Sequence, residues 1–185
     1  MLEWTFEYAI DLDNVITRVN EAFCAFAREN EAPDLPDTVV GTRLEQHLHG
    51  EPVLALWHDI LEAVRASGEP LELPFRCDSP EVRRYMHMRI EPSPDGGLRF
   101  YTRCEREVRF SQPIGLLDVH ASREGRLVRL CAWCKAVLLP SGEWVDIEEG
   151  VSRLGLLGSA LGVDLTHGVC PTCEARLLAA LGELS

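Results

Sequence analysis

The sequence predicts an α+β chain, and three observations carry the prediction. Apolar spacing passes from alternation to a helical period and back, giving two strands, helices and three strands over the first 110 residues. Four of the seven cysteines form two C-x-x-C pairs near the end, which sets off a second region. The 185 residues are 46% hydrophobic and 26% charged, which suffices to bury a core.

The elements follow in order. Phe6–Ile10 and Val15–Val19 alternate loosely around Asp11-Leu12-Asp13-Asn14, whose short acceptor side chains suit a hairpin turn. Asn20 can cap a helix over residues 21–30 with Phe23, Phe26 and Ala27 on one face, and Pro33 and Pro36 end it. The strongest helix follows Pro52, because Val53, Leu56, Trp57, Ile60, Leu61 and Val64 form one stripe; Gly68 and Pro70 stop it. Leu71–Cys77, Arg84–Ile90 and Leu98–Cys104 are the next strands, joined by Asp78-Ser79-Pro80 and by the turn formers of Pro92–Gly97. His58 directly follows the apolar position Trp57, so a solvated histidine is favoured there. His87 alternates with Met86 and Met88, so one of those two faces must be solvated.

Residues 113–126 form a connector. Leu127–Leu130 and Lys135–Pro140 then read as short strands around the first cysteine pair, and Ser141-Gly142 turns the chain into Glu143–Val145. Asp146 with Glu149 three residues on forms a capping box for a helix to about Leu157. A last helix starts at the second cysteine pair and runs through Leu177, Leu178 and Leu181.

The formal charge of −12 is unevenly placed. Residues 1–75 carry 4 basic and 15 acidic side chains, residues 76–109 carry 8 and 6, and residues 110–185 carry 6 and 9. An acidic chain is repelled by phosphate backbones and anionic membranes, which disfavours nucleic acid as a partner. No apolar run approaches the ~18 residues of a membrane span, and Glu3, Glu7, Asp11 and Asp13 stand where a signal peptide would be basic and then apolar. The expected location is cytoplasmic. An odd number of cysteines excludes a fully paired disulfide framework within one chain, and in a reducing compartment paired cysteines bind metal or do redox work.

The strand, strand, helices, three-strand order over Trp4–Phe110, with the phrases Asp13-Asn14-Val15-Ile16-Thr17-Arg18-Val19-Asn20 and Val39-Val40-Gly41-Thr42, resembles a PAS domain. The resemblance implies a five-stranded antiparallel sheet with helices over one face. It also implies a pocket that holds flavin, haem, a small metabolite or nothing, here lined by Phe23, Phe26, Trp57, Phe75 and Phe100. Gly41–Leu48 carries no cysteine, which argues against the photochemical flavin adduct of that family. PAS domains sense or dimerise and pass the result to an output element. The implied partner is another signalling protein or a second copy of the chain. Arg76, Arg83 and Arg84 are candidates for gripping an anion or an acidic partner, because guanidinium forks favour bidentate anions; the competing reading pairs them with Asp78 or Glu81.

Cys131-Ala132-Trp133-Cys134 and Cys170-Pro171-Thr172-Cys173 carry the strongest chemical signal. Four thiolates satisfy tetrahedral Zn²⁺, and a C-x-x-C turn lets two sulfurs reach one ion. Pro171 suits the first turn of the last helix, whose free amides favour thiolate at Cys170 and Cys173. Knuckle, hairpin and a pair at a helix start look like a treble-clef zinc site, with the 146–157 helix as an insertion. The run through Gly142-Glu143-Trp144-Val145 and Thr166-His167-Gly168-Val169-Cys170 also resembles a cysteine-rich tail found beside sensory domains in bacterial signalling proteins. His167 is a rival ligand or a residue behind the ligands. Cys24, Cys77 and Cys104 read as small core or edge residues.

The expected organisation is a sensory domain over 1–112 and a structural-zinc module over 113–185. It predicts a signal-sensing or protein-interaction protein whose output is a conformational change or docking. A thiol or zinc redox switch, an iron–sulfur cluster and a nucleic-acid-binding zinc ribbon are the alternatives. Enzymatic action is not expected, because four thiols leave no open zinc position and no H-E-x-x-H motif is present.

Overall fold

The computed structural model describes residues 6–30, 32–118, 125–156 and 163–184. Two sheets share the work. β1 (Phe6–Ile10) and β2 (Ile16–Val19) form the expected hairpin. Its turn is held by the Asp11 carboxylate, which accepts from the backbone N–H groups of Asp13 and Val15 at 2.9 Å, while Asn14 takes a left-handed φ of 61°.

α1 (Glu21–Glu29) starts where Asn20 accepts from the Phe23 N–H at 2.9 Å. Pro36 does more than end this helix. It sits in the first turn of a short second helix, α2 (Leu35–Val39), where the missing N–H costs nothing. α3 (Glu51–Ser67) follows a 3₁₀ turn at Leu44–His47. It buries Val53, Leu56, Ile60, Leu61 and Val64, each worth about 1.5–3 kcal/mol of transfer free energy. Gly68, left-handed at φ 70°, ends it.

β3 (Leu71–Arg76), β4 (Val82–Pro92) and β5 (Leu98–Arg109) complete an antiparallel sheet ordered β2-β1-β5-β4-β3. β4 and β5 are longer than the alternation predicts. Their ends pair from Val82 with Arg109 to Tyr85 with Arg106, where exposed charged side chains hide the strand signal. Met86, Met88, Ile90, Leu98 and Phe100 point inward. His87 points outward between Glu72 and Glu105, which settles its face, and His58 is solvated beside Glu62. Cys24 and Cys77 are half-buried, but Cys104 is exposed on β5, so the core-or-edge expectation fails to place it in the core.

The second sheet is ordered β8-β7-β6-β9, from β6 (Arg126–Cys131), β7 (Val137–Leu138), β8 (Trp144–Val145) and β9 (Val163–Gly168). β9 is absent from the sequence reading. It pairs in parallel with β6 from Arg126–Val163 to Cys131–Gly168. α4 (Ile147–Arg153) is shorter than expected, and the Asp146 carboxylate caps it through the Glu148 N–H at 3.0 Å; the predicted end at Leu157 lies outside the described residues, as do 119–124 of the connector. α5 (Pro171–Gly182) closes the chain. Among the described residues no helix is long and apolar enough to cross a membrane.

Two apolar clusters form. The smaller joins Ile114, Leu116, Val128, Leu130, Val137, Ile147, Val151 and Val163 within the second region. The larger runs from the first sheet and α3 into Cys131, Trp133, Cys170, Cys173 and Leu177, so the cysteine region takes part of its core from its neighbour. Gly50 marks that seam. At φ 97°, a Cβ there would lie 2.3 Å from the His167 carbonyl oxygen, so only glycine lets α3 begin this close to β9.

Candidate metal centre

The first cysteine pair sits on a turn closed by the backbone. The Cys131 N–H donates to the Ala136 carbonyl at 2.7 Å, and the Lys135 N–H returns to the Cys131 carbonyl at 3.0 Å. Lys135 takes φ 61° to close it, a left-handed conformation that a side chain adopts at some cost. Two further bonds fix the knuckle in space. The Ala132 N–H donates to Gly168 of β9 at 2.9 Å, and the Arg76 N–H of β3 donates to the Trp133 carbonyl at 2.8 Å. The second bond also covers the outer edge of β3, which would otherwise present unpaired backbone groups.

The second pair opens α5. Cys170 is its N-cap, Pro171 follows in the first turn, and Cys173 lies within that turn. The sulfurs of Cys131, Cys134, Cys170 and Cys173 all lie within 4.8 Å of one another, and Cys134 Sγ is 3.6 Å from Cys170 Sγ. A tetrahedral ion with metal–sulfur bonds of ~2.3 Å needs sulfurs ~3.8 Å apart, so the four thiols fit zinc in number, type and spacing. Cys131, Cys170 and Cys173 are buried and Cys134 is half-buried.

Crowding of four thiols sets their protonation. Hydrogen bonds from the Cys134 and Cys173 thiols hold Cys131 far below the usual thiol range, aided by the Cys170 N–H at 3.4 Å. Donation to Cys131 pushes Cys134 up to about 12 and Cys173 well above its ordinary value. Bringing four sulfurs together disfavours several thiolates at once, and a bound dication would favour them by taking the place of protons. Four protein donors would close the site, so the chemistry it offers is cross-linking the knuckle at the end of β6 to the start of α5.

The described cluster of donors comprises the four cysteines and leaves out His167, which instead faces His49 at a ring distance of 6.3 Å. The three arginines, candidates for gripping an anion or a partner, are engaged by the chain's own acids. Arg76 is buried and bonds Asp78 through two guanidinium nitrogens, with Nη1 reaching Asp146 at 3.3 Å. Arg83 bonds Asp146 at 2.7 Å and Glu148 at 3.1 Å, and Arg84 bonds Glu107 at 2.9 Å. The pairing partner of Arg76 is Asp78, as the competing reading had it. Asp146 and Glu148, at the start of α4, have no local signal for this role, since they meet Arg76 and Arg83 only once the regions dock.

Of the expected pocket residues, Trp57 and Phe75 line a cavity beside the knuckle. Phe100 is fully buried beneath the stacked Tyr8 ring at 4.3 Å; Phe23 packs edge-on to Tyr8, and Phe26 lies against Phe6 at 4.5 Å. Trp133 meets Trp57 at 5.6 Å between ring centroids and joins the two regions. No protein-family model matches the chain, and a search of the curated proteins finds no match.

Proposed function

We propose that the chain is a PAS-like sensory or protein-interaction protein over residues 1–112, carrying a structural Cys₄ zinc module over 113–185 that is treble-clef-like in its knuckle, hairpin and helix. The observation that carries this reading is the position of the cysteine knuckle. Cys131 and Cys134 are hydrogen-bonded through Trp133 to the edge strand of the first sheet, so a change in the first region reaches the metal centre through one peptide. The strand order, with helices between β2 and β3, supports the PAS likeness. The output is a conformational change or docking to a signalling partner or a second copy, in the cytoplasm, and no catalytic step is assigned.

Metal analysis of the purified chain is the direct test. About one zinc per chain is expected, and cobalt substitution should give the visible bands of a tetrahedral thiolate site. Iron with inorganic sulfide would overturn the assignment. The 3.6 Å between Cys134 and Cys170 Sγ supports a second reading as a redox switch. Peroxide would take two electrons from the two thiolates, forming a disulfide and two hydroxide ions that solvent protons convert to water, and any bound zinc would lose two ligands. Retention of zinc under mild peroxide removes that reading.

A further inference from the structure

A cavity of about 250 Å³ lies where the first sheet, α3 and the cysteine knuckle meet. At the ~30 Å³ that a water occupies in the liquid, it has room for about eight waters, the size of a one-ring or two-ring molecule. Its walls combine the rings of Trp57 on α3, Phe75 on β3 and Trp133 on the knuckle with aliphatic side chains and with His47, His49 and His167. Flat rings are the shape that such walls accept.

Charge then selects the ligand class. Acids make up 30 of the 185 residues, yet among the described residues none lines this cavity, while Lys135, the single lysine of the chain, does. Its ammonium has three donors. One goes to the Ala132 carbonyl at 3.0 Å, and among the described residues no carboxylate pairs with it. Arg76 also borders the cavity, but its guanidinium is neutralised by Asp78 and Asp146. In an acidic protein the described lining of this recess thus offers an ammonium and no carboxylate.

We propose that this cavity binds a small aromatic carboxylate, with its ring against Trp57, Phe75 and Trp133 and its carboxylate on Lys135 Nζ. The inference rests on the sensory reading and gives it a ligand class. Trp133 and Lys135 belong to the turn that carries Cys131 and Cys134, so the ligand and the metal would hold the same five-residue loop, Cys131–Lys135. Each therefore stabilises the other's site.

Calorimetric titration of the zinc-loaded full chain with benzoate, salicylate and 1-naphthoate, each beside its carboxamide, tests the proposal. At least one acid should bind at one site, with its carboxamide about tenfold weaker or more, because a charge-assisted hydrogen bond is lost. Lys135→Gly removes the ammonium while favouring the left-handed turn. It should keep its zinc and bind the acid no better than the amide. Leu48→Trp, which fills the cavity from outside the cysteine region, should abolish binding of both. Failure of every acid to bind, equal binding of acid and amide, or unchanged binding by Lys135→Gly overturns the proposal. Zinc content separates the two readings: acid binding without zinc sinks the metal assignment alone, and zinc without acid binding sinks this site alone.

Discussion

The two sheets are stabilised by different physics. In the first, long antiparallel ladders such as the one from Val82–Arg109 to Pro92–Leu98 lie under α3, and stability comes from apolar area. In the second, β7 and β8 have two residues each, and four sulfurs from the knuckle at the end of β6 and the start of α5 converge at one point, where a bound metal would cross-link them. Area tolerates local damage because its contributions are many and small, whereas a point cross-link fails all at once. The larger apolar cluster nevertheless runs through both, so a metal on the four cysteines would also hold one wall of the area-stabilised core.

Removing the cross-link gives the largest expected effect. Cys131→Ser should lower bound metal from about one ion per chain to near zero. It should also melt the second region while the first keeps a cooperative transition at lower temperature, read by Trp fluorescence and far-UV circular dichroism. A chain without metal whose Tm is unchanged would erase the contrast between the regions.

Phe100→Ala attacks the other side. Cavity formation at this fully buried ring should cost about 3–5 kcal/mol in denaturant unfolding, with zinc retained under native conditions. Loss of zinc from this variant would show that the two regions form one cooperative unit.

The arginine clasp sharpens the comparison at the seam. Arg76→Ala leaves the Asp78 carboxylate buried without its charge partner and should cost about 3 kcal/mol. Arg83→Ala removes bonds to the more exposed Asp146 and Glu148 and should cost about 0.5–1 kcal/mol. Equal losses would mean that burial at the seam does not govern the clasp.

The smallest effect is a pH dependence on the outer face of the first sheet. A hydrogen bond from Arg89 holds the Glu72 carboxyl below its ordinary range. Its contribution is therefore complete above the unfolded value near 4.5 and is lost as the pH falls from there through the lower folded value. Glu72→Gln should flatten that part of the acid-unfolding profile, and an unchanged slope would show that the pair is fully screened.

Much of this was legible along the chain, for reasons that particular residues make plain. The α3 stripe from Val53 to Val64 is a local pattern on one helix, and burial of five of its members follows from that period alone. The hairpin turn at Asp11–Asn14 and the cap at Asn20 are equally local. By contrast β9 carries half-buried polar residues, Asp164, Thr166 and His167, which blur its alternation, and only its parallel partner β6 makes it a strand. The charged ends of β4 and β5 were missed for the same reason.

The sequence by itself determined the four candidate cysteine ligands, the helix that carries the first core and the acidic balance, because spacing, period and composition act between near neighbours. Only the tertiary structure decided that Arg76 reaches Asp146 across 70 residues, that Trp57 meets Trp133, and that Lys135 borders a cavity with no carboxylate among its described lining residues. Those contacts depend on how two regions dock. Docking is fixed by the shape of their summed apolar surfaces and by the close approach at Gly50, and no local pattern encodes either.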